Sequence, residues 1–451
     1  MTSRIAALPG SLRSALAPAG HTGALLRGTA GSFLIKVVSN TLLFASQILF
    51  ARWLGVDGFG VYVLALAWLS VLVVPARLGF DLATIRFVAA YKGRQEWGLM
   101  RGFLSAGRLA VLCGSAVVAG LFVVAVENLV PSPSPDLRLS LMLAALTIPV
   151  LAVVQMQASA VRAMGHVVIG EAAHAIVHPC LLIAFFVAAV WWFGLQAGPV
   201  AAMTSYLLAA SASLMLLWPL LRRCTPAPAR RAPQQYLWRE WLTAAPAMVL
   251  IAGFSVILSQ SAVIILGAMA SSADAGLFGA AARLAAILQI ISFSLVTAIA
   301  PMIARLHAQG AQADMQKAID AGVRTVFVFS SAAALGLALL GRPLLSLFGD
   351  DFVAGYEALL ILLAGQLAWA ATAAAGSVLN MTGHQNASAV ILAAAATVNL
   401  ILCWLLIPPF GLEGAAAATA ATMAGSNLIM ALWARRVTGL RSYISLTRGS
   451  R

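Results

Sequence analysis

Residues 36–94 read as an apolar run, a glycine-rich turn, a second apolar run and a basic end. The turn is Ala51-Arg52-Trp53-Leu54-Gly55-Val56-Asp57-Gly58-Phe59-Gly60-Val61-Tyr62. Each flanking run is about 20 residues long, enough to cross ~30 Å of hydrocarbon. The stretch therefore reads as a transmembrane helical hairpin. Its glycines let the backbone reverse within a few residues, and Arg52, Trp53 and Tyr62 suit the headgroup layer because each carries a polar tip on an apolar body. A chain with 62% hydrophobic and 9% charged residues has no surface that water would solvate as a globule. A β-barrel would show short strands of alternating polarity, whereas these runs are long, unbroken and rich in Ala and Leu. The expected fold is all-α and polytopic.

Further runs of the same kind predict twelve spans, centred near residues 42, 69, 115, 150, 181, 209, 254, 289, 331, 368, 396 and 423. With the N-terminus inside, Arg52, Arg138, Arg342 and the intramembrane Arg283 lie away from the inner face, and every other Lys and Arg lies at it. The positive-inside rule then puts both termini in the cytoplasm, and it explains the net charge of +14 by juxtamembrane loops, with no need for nucleic acid. The expected division is an N-terminal tail over 1–30, a first lobe over 31–223, a Pro- and Arg-rich cytoplasmic linker over 224–240, a second lobe over 241–437 and a C-terminal tail over 438–451.

The two halves echo each other at an offset of 213 to 218 residues. Ser46-Gln47 matches Ser259-Gln260, Gly60-Val61-Tyr62 matches Gly276-Leu277-Phe278, and Ser159 with Gly165-His166 matches Ser377 with Gly383-His384. Phe193-Gly194-Leu195 likewise matches Phe410-Gly411-Leu412. An ordered series at near-constant offset is a duplication. Because each repeat has an even number of spans, the halves insert in the same orientation, as two parallel six-helix lobes around a central cavity.

No phosphate-binding loop, His-Glu-x-x-His or Gly-x-Ser-x-Gly occurs, so no catalytic residue, cofactor or resident metal is expected. Attention falls on polar groups within spans. A charge at a helix centre costs about 2.5–3.5 kcal/mol on insertion scales and usually faces a polar interior. Arg283 lies within a span, Lys36 one turn into the first, and Arg52, Arg77 and Arg86 at helix ends. Each either snorkels to the interface or lines a cavity, and together they would make that cavity select an anion such as a phosphate. Glu171, His174 and His178 share one helical stripe, open to three readings: a water-facing, proton-coupled stripe, interhelical hydrogen bonding, or metal binding with further ligands. Asn40, Gln47, Gln260, Asn380 and Asn399 either bond helices together or line the cavity.

The ordered set Arg52-x-Leu54-Gly55-x-x-Gly58-Phe59-Gly60-x-Tyr62, then Leu78-Gly79-Phe80 and Arg86, resembles the N-terminal signature of the polysaccharide biosynthesis membrane proteins. These are oligosaccharide flippases of the multidrug/oligosaccharidyl-lipid/polysaccharide exporter superfamily. Ala300-Pro301, Leu347-Phe348-Gly349-x-x-Phe352, Leu379-Asn380-x-Thr382-Gly383 and Leu405-Leu406-Ile407-Pro408-x-x-Gly411 are similar to that family's second half. The resemblance implies flipping of an undecaprenyl-pyrophosphate-linked oligosaccharide across the bacterial inner membrane by alternating access. Lys36, Arg52, Arg86 and Arg283 would meet the pyrophosphate, and Gln47, Gln260 and Asn399 the glycan. The implied partners are the lipid-linked oligosaccharide, the bilayer, and polysaccharide polymerase and chain-length machinery. Two alternatives stand beside it: a cation-coupled multidrug exporter of the same superfamily, and a non-catalytic component of a polysaccharide assembly complex.

Overall fold

A computed structural model describes residues 21–129, 133–192, 194 and 196–444 of the 451-residue chain, and every regular element among them is helical. The first half holds α1 (His21–Ala76), α2 (Phe80–Arg94), α3 (Trp97–Leu129), α4 (Pro135–Ala163), α5 (Val167–Ala175), α6 (Val177–Trp191) and α7 (Pro199–Cys224). A short α8 (Ala227–Arg231) follows. The second half holds α9 (Trp238–Met269), α10 (Ser272–Ala308), α11 (Gln312–Ser346), α12 (Tyr356–Ala370), α13 (Ala375–Met381) and α14 (Gln385–Thr438). Proline and serine set several starts: Ser134 accepts from the Leu137 N–H ahead of Pro135, and Pro199 opens α7 where a missing N–H costs nothing.

Ten helices among the described residues are long and apolar enough to cross a bilayer. Two of them, α1 and α14, turn back on themselves. The turns are single glycines with left-handed φ: Gly55 (φ 68°, ψ −179°) and Gly411 (φ 54°, ψ −125°). A Cβ on Gly414 would stand 2.1 Å from the carbonyl oxygen of Leu406, whereas eight residues of straight helix advance about 12 Å. Likewise the Phe50 and Tyr62 rings meet at 5.1 Å across Gly55. The hairpin read from residues 36–94 is present; where twelve spans were expected, ten helices among the described residues qualify, and α1 and α14 each fold back at a glycine.

In the first lobe α4 is the hub, packed against α1, α3 and α7 through buried Ala144, Ile148, Ala152 and Met156. In the second, α9 and α12 pack on α14, and α10 on α11. The lobes meet where α1 lies against α9 and α10. On the side away from the segment joining the lobes, the far side, the seam closes backbone to backbone. A Cβ on Gly60 would fall 1.7 Å from the Ser272 carbonyl oxygen, and one on Gly276 would fall 2.7 Å from that of Val56, so only glycine permits the approach. Around it, Phe44 and Phe59 pack against Phe348 and Phe352 at ring separations of 5.6–6.5 Å.

The segment between the lobes is no free spacer. Gln235 donates its N–H to the Gly98 carbonyl (3.1 Å) and Arg101 reaches the Ala232 carbonyl (2.8 Å). Fully buried Trp241 donates to the Tyr91 hydroxyl at 2.9 Å and stands edge-on to Phe103. Burial pushes the Tyr91 phenol above its usual range, so it stays protonated in this contact. Residues 439–444, expected as part of a tail, dock on the second lobe: Ile444 donates to the Ala371 carbonyl (2.8 Å), and Gln316 exchanges hydrogen bonds with the Arg441 backbone.

Candidate functional site

The site is built where α10 of the second lobe faces the first lobe. Ser271 caps α10, accepting from the Asp274 N–H (3.0 Å), and about three turns later the helix presents Arg283. Opposite stand Tyr62, at the start of the returning arm of α1, and Tyr206, two turns into α7, both within electrostatic range of the guanidinium. The Tyr206 ring meets that of His178 edge-on at 4.6 Å. The Arg283 side chain is exposed, on a helix that packs against α1 of the first lobe. Among the described residues it belongs to no ion pair. A cation in no such pair, with two phenols opposite, is a place for an anion.

The remaining candidates scatter. Gln47, 4% exposed, lies on the first arm of α1 and Gln260 on α9, helices that pack together. Arg52 donates from Nε to the Leu347 carbonyl at 2.7 Å and so latches the far-side seam. Arg77 is paired with Asp81 at 2.7 Å, and Arg86 is exposed and lies over the Phe87 ring. Asn40 and Asn380 are exposed. Asn399 is fully buried inside the second lobe, where it accepts from the Ser261 hydroxyl and donates to Thr422 (3.2 Å) and the Ala418 carbonyl (3.4 Å). The side chains of Lys36 and His174 lie outside the described set.

The predicted stripe of Glu171, His174 and His178 is interrupted. The helix breaks at Ile176, between α5 and α6, because Pro179 lacks an N–H and its ring collides with the carbonyl of Ala175. Glu171 Oε2 is buried with no hydrogen-bond partner among the described residues. No group of three His, Cys, Asp or Glu placed to hold a metal occurs among those residues either.

The family model described as polysaccharide biosynthesis protein matches residues 25–307, more than half of the chain. The chain belongs to this family. A second model, MatE, matches residues 246–405. The probable low-salt glycan biosynthesis flippase Agl15 of Haloferax volcanii is 22% identical over 429 residues, covering 94% of this chain and 84% of that protein. Among solved structures, the inward-facing conformation of a multidrug resistance MATE family transporter of the MOP superfamily superposes with a TM-score of 0.76 at 13% identity, covering 90% of this chain and 98% of that one. The outward-facing conformation of such a transporter gives 0.62 at 13% identity, covering 92% and 96%. The family member described here is thus a multi-pass membrane protein with the two-lobed fold of these transporters.

Tyr62 and Tyr206 are the site residues that sequence reasoning passed over. Tyr62 reads as a headgroup residue because it follows the hairpin turn. Its repeat match, Phe278, carried the missing signal: a hydroxyl kept in one repeat and absent in the other needs a partner specific to that lobe.

Proposed function

We propose that this protein is a flippase that carries a lipid-linked oligosaccharide, joined to its lipid through pyrophosphate, across the bacterial inner membrane for surface polysaccharide synthesis. The observation that carries this reading is Arg283, exposed between the lobes and in no ion pair among the described residues. A pyrophosphate supplies the negative charge to pair with Arg283, while Tyr62 and Tyr206 offer hydroxyls to the adjoining sugar. Translocation makes no covalent bond, so the site needs recognition groups and no nucleophile. In alternating access the far-side seam around Gly60 and Gly276 opens as the opposite side closes, and each state is favoured in turn by differential binding. Glu171 and His178, beside the Pro179 kink, are the groups we assign to ion or proton coupling. Both termini and the segment joining the lobes lie in the cytoplasm on this reading, in keeping with their basic residues.

The test is translocation of undecaprenyl-pyrophosphate oligosaccharide in vesicles holding matched amounts of protein. The native chain is expected to transport. Arg283→Ala is expected to fall about 30-fold and Arg283→Lys less than that, because a point charge replaces part of the guanidinium's contact with phosphate. Transport undiminished in Arg283→Ala would return that side chain to a structural role. The MatE match over the second half also supports a multidrug-exporter reading. That reading gains if the native chain moves an organic cation down a proton gradient and leaves the glycolipid in place.

A further inference from the structure

The first lobe carries an opening lined by none of Tyr62, Tyr206 and Arg283. Helices α3 and α7 each pack on α4, and between them, near the segment that joins the lobes, is a crevice of about 880 Å³. Its rim holds Arg101, Arg108, Arg222 and Arg230, and no Asp or Glu lines it. Arg108 and Arg222 both stack on Trp218, with guanidinium carbons 4.9 and 5.3 Å from its ring, so two like charges share one indole. Among the described residues none of the four arginines is in an ion pair. Gln157, which also lines the crevice and is 1% exposed, has neither its amide nitrogen nor its oxygen hydrogen-bonded among the described residues. A buried amide with both ends unmet costs on the order of 1–3 kcal/mol per group unless something polar enters.

The mouth of this crevice is apolar and faces outward. Leu109 (61% exposed), Leu112 and Trp218 stand open along it, on α3 and on the end of α7 that adjoins the joining segment, away from Tyr206. A ligand seated here therefore has an anionic head held by arginines and an apolar tail in the bilayer.

We propose that this crevice binds the phosphate headgroup of an acidic glycerophospholipid from the leaflet on the side of the joining segment, its acyl chains running over Leu109 and Leu112. The bilayer supplies such lipids at high local concentration, and juxtamembrane arginines attract them. The transported glycolipid is the less suitable occupant, because its head must enter between the lobes, whereas first-lobe helices and the joining segment line the crevice, with no residue of the second lobe's helices. Since Arg230 and Gln234 belong to the joining segment, a bound lipid also ties that segment to the first lobe. The site stands whatever substrate meets Arg283.

The test is native mass spectrometry of the full chain in detergent, titrated in turn with dioleoyl phosphatidylglycerol, dioleoyl phosphatidylcholine and undecaprenyl pyrophosphate. Phosphatidylglycerol is expected to stay bound where phosphatidylcholine dissociates, and the double variant Arg108→Gln/Arg222→Gln is expected to weaken it about tenfold or more. Arg342→Gln, on the far side, is expected to leave it unchanged. A photoactivatable phosphatidylglycerol on the unmutated chain gives a readout free of folding effects, with label expected in peptides spanning 101–112 and 214–222. Equal retention of the two phospholipids, preferential retention of undecaprenyl pyrophosphate, an unaffected double variant, or label spread evenly over the helices would each overturn the proposal.

Discussion

In the first lobe the helix following α4 breaks at Ile176, beside Pro179, and Glu171 is left with a buried carboxylate oxygen that no described residue meets. In the second lobe the matching helix, the first arm of α14, runs unbroken to Gly411, and the break falls one helix earlier, between α12 and α13. That break is stitched. The Thr372 hydroxyl returns to the Ala368 and Trp369 carbonyls, and the Ala371 carbonyl receives the N–H of Ile444. Asn399, deep in this lobe, is bonded at both ends of its amide, although Gln366 Oε1 on α12, about one turn before the break, has no partner among the described residues. A helix interruption with unmet groups changes partners at low cost, whereas one whose groups are all bonded resists change. We therefore expect the first lobe to rearrange the more readily around Arg283, and the second, tied at its break by Ile444 and inside by Asn399, to move less.

The largest expected effect tests whether the two lobes contribute equally to the seam. Gly60 and Gly276 are repeat equivalents that meet each other, but a Cβ on Gly60 would strike the Ser272 backbone at 1.7 Å and one on Gly276 would strike Val56 at 2.7 Å. Gly60→Ala is therefore expected to empty the far-side-closed state and cut vesicle transport by about 100-fold, and Gly276→Ala by about tenfold. Cysteine cross-linking across the seam reports closure directly. Equal losses in the two variants would mean that the seam is symmetric in function despite its geometry.

The next contrast sets a bonded polar group against an unmet one. Asn399→Leu strands Ser261 and weakens the tie to Thr422, so thermal unfolding in detergent is expected to fall by an amount equivalent to about 1–2 kcal/mol, with transport per folded molecule retained. Glu171→Gln is expected to do the opposite: unfolding unchanged, and stimulation by a proton gradient reduced about fivefold. A stability loss in Glu171→Gln, with gradient dependence intact, would place Glu171 with Asn399 as structural glue and dissolve the distinction between the lobes.

Much of this design was readable beforehand, for physical reasons that differ by residue. Apolar runs must become helices in lipid, so the spans and the all-α fold follow from hydropathy. Gly55 was readable as a turn because no other residue adopts that φ freely, whereas Gly60 and Gly276 were readable only as a repeat match, and that they meet between the lobes depends on how the halves pack. Arg283 was singled out by the expense of a charge within a span. The destinations of the other polar residues depended on what lies across the next helix. Arg52 bonds to a backbone carbonyl almost three hundred residues away, and any residue at 347 would offer that oxygen. Asn399 was drawn inward by Ser261 and Thr422, whose facing positions no periodicity reveals. The Pro179 break was legible in principle, since proline in a helix interior marks a kink, and attention to the stripe of Glu171, His174 and His178 hid it.

That kink yields the smallest effect and the sharpest separation of the lobes. Pro179→Ala restores an N–H able to bond the Ala175 carbonyl, which stabilises the continuous helix by about 0.5–1.5 kcal/mol and raises the unfolding temperature. Straightening α5 into α6 would turn the His178 ring away from Tyr206 and carry Glu171 with it, so transport is expected to drop about two- to threefold even as the protein becomes more stable. The repeat-equivalent change in the opposite sense, Thr397→Pro in the first arm of α14, would break a helix whose groups are bonded, with stability lost and nothing gained in transport. Should Pro179→Ala instead leave transport at the native rate, the kink would be a feature of packing alone, and the mobility assigned to the first lobe would have to reside in the Gly55 hairpin.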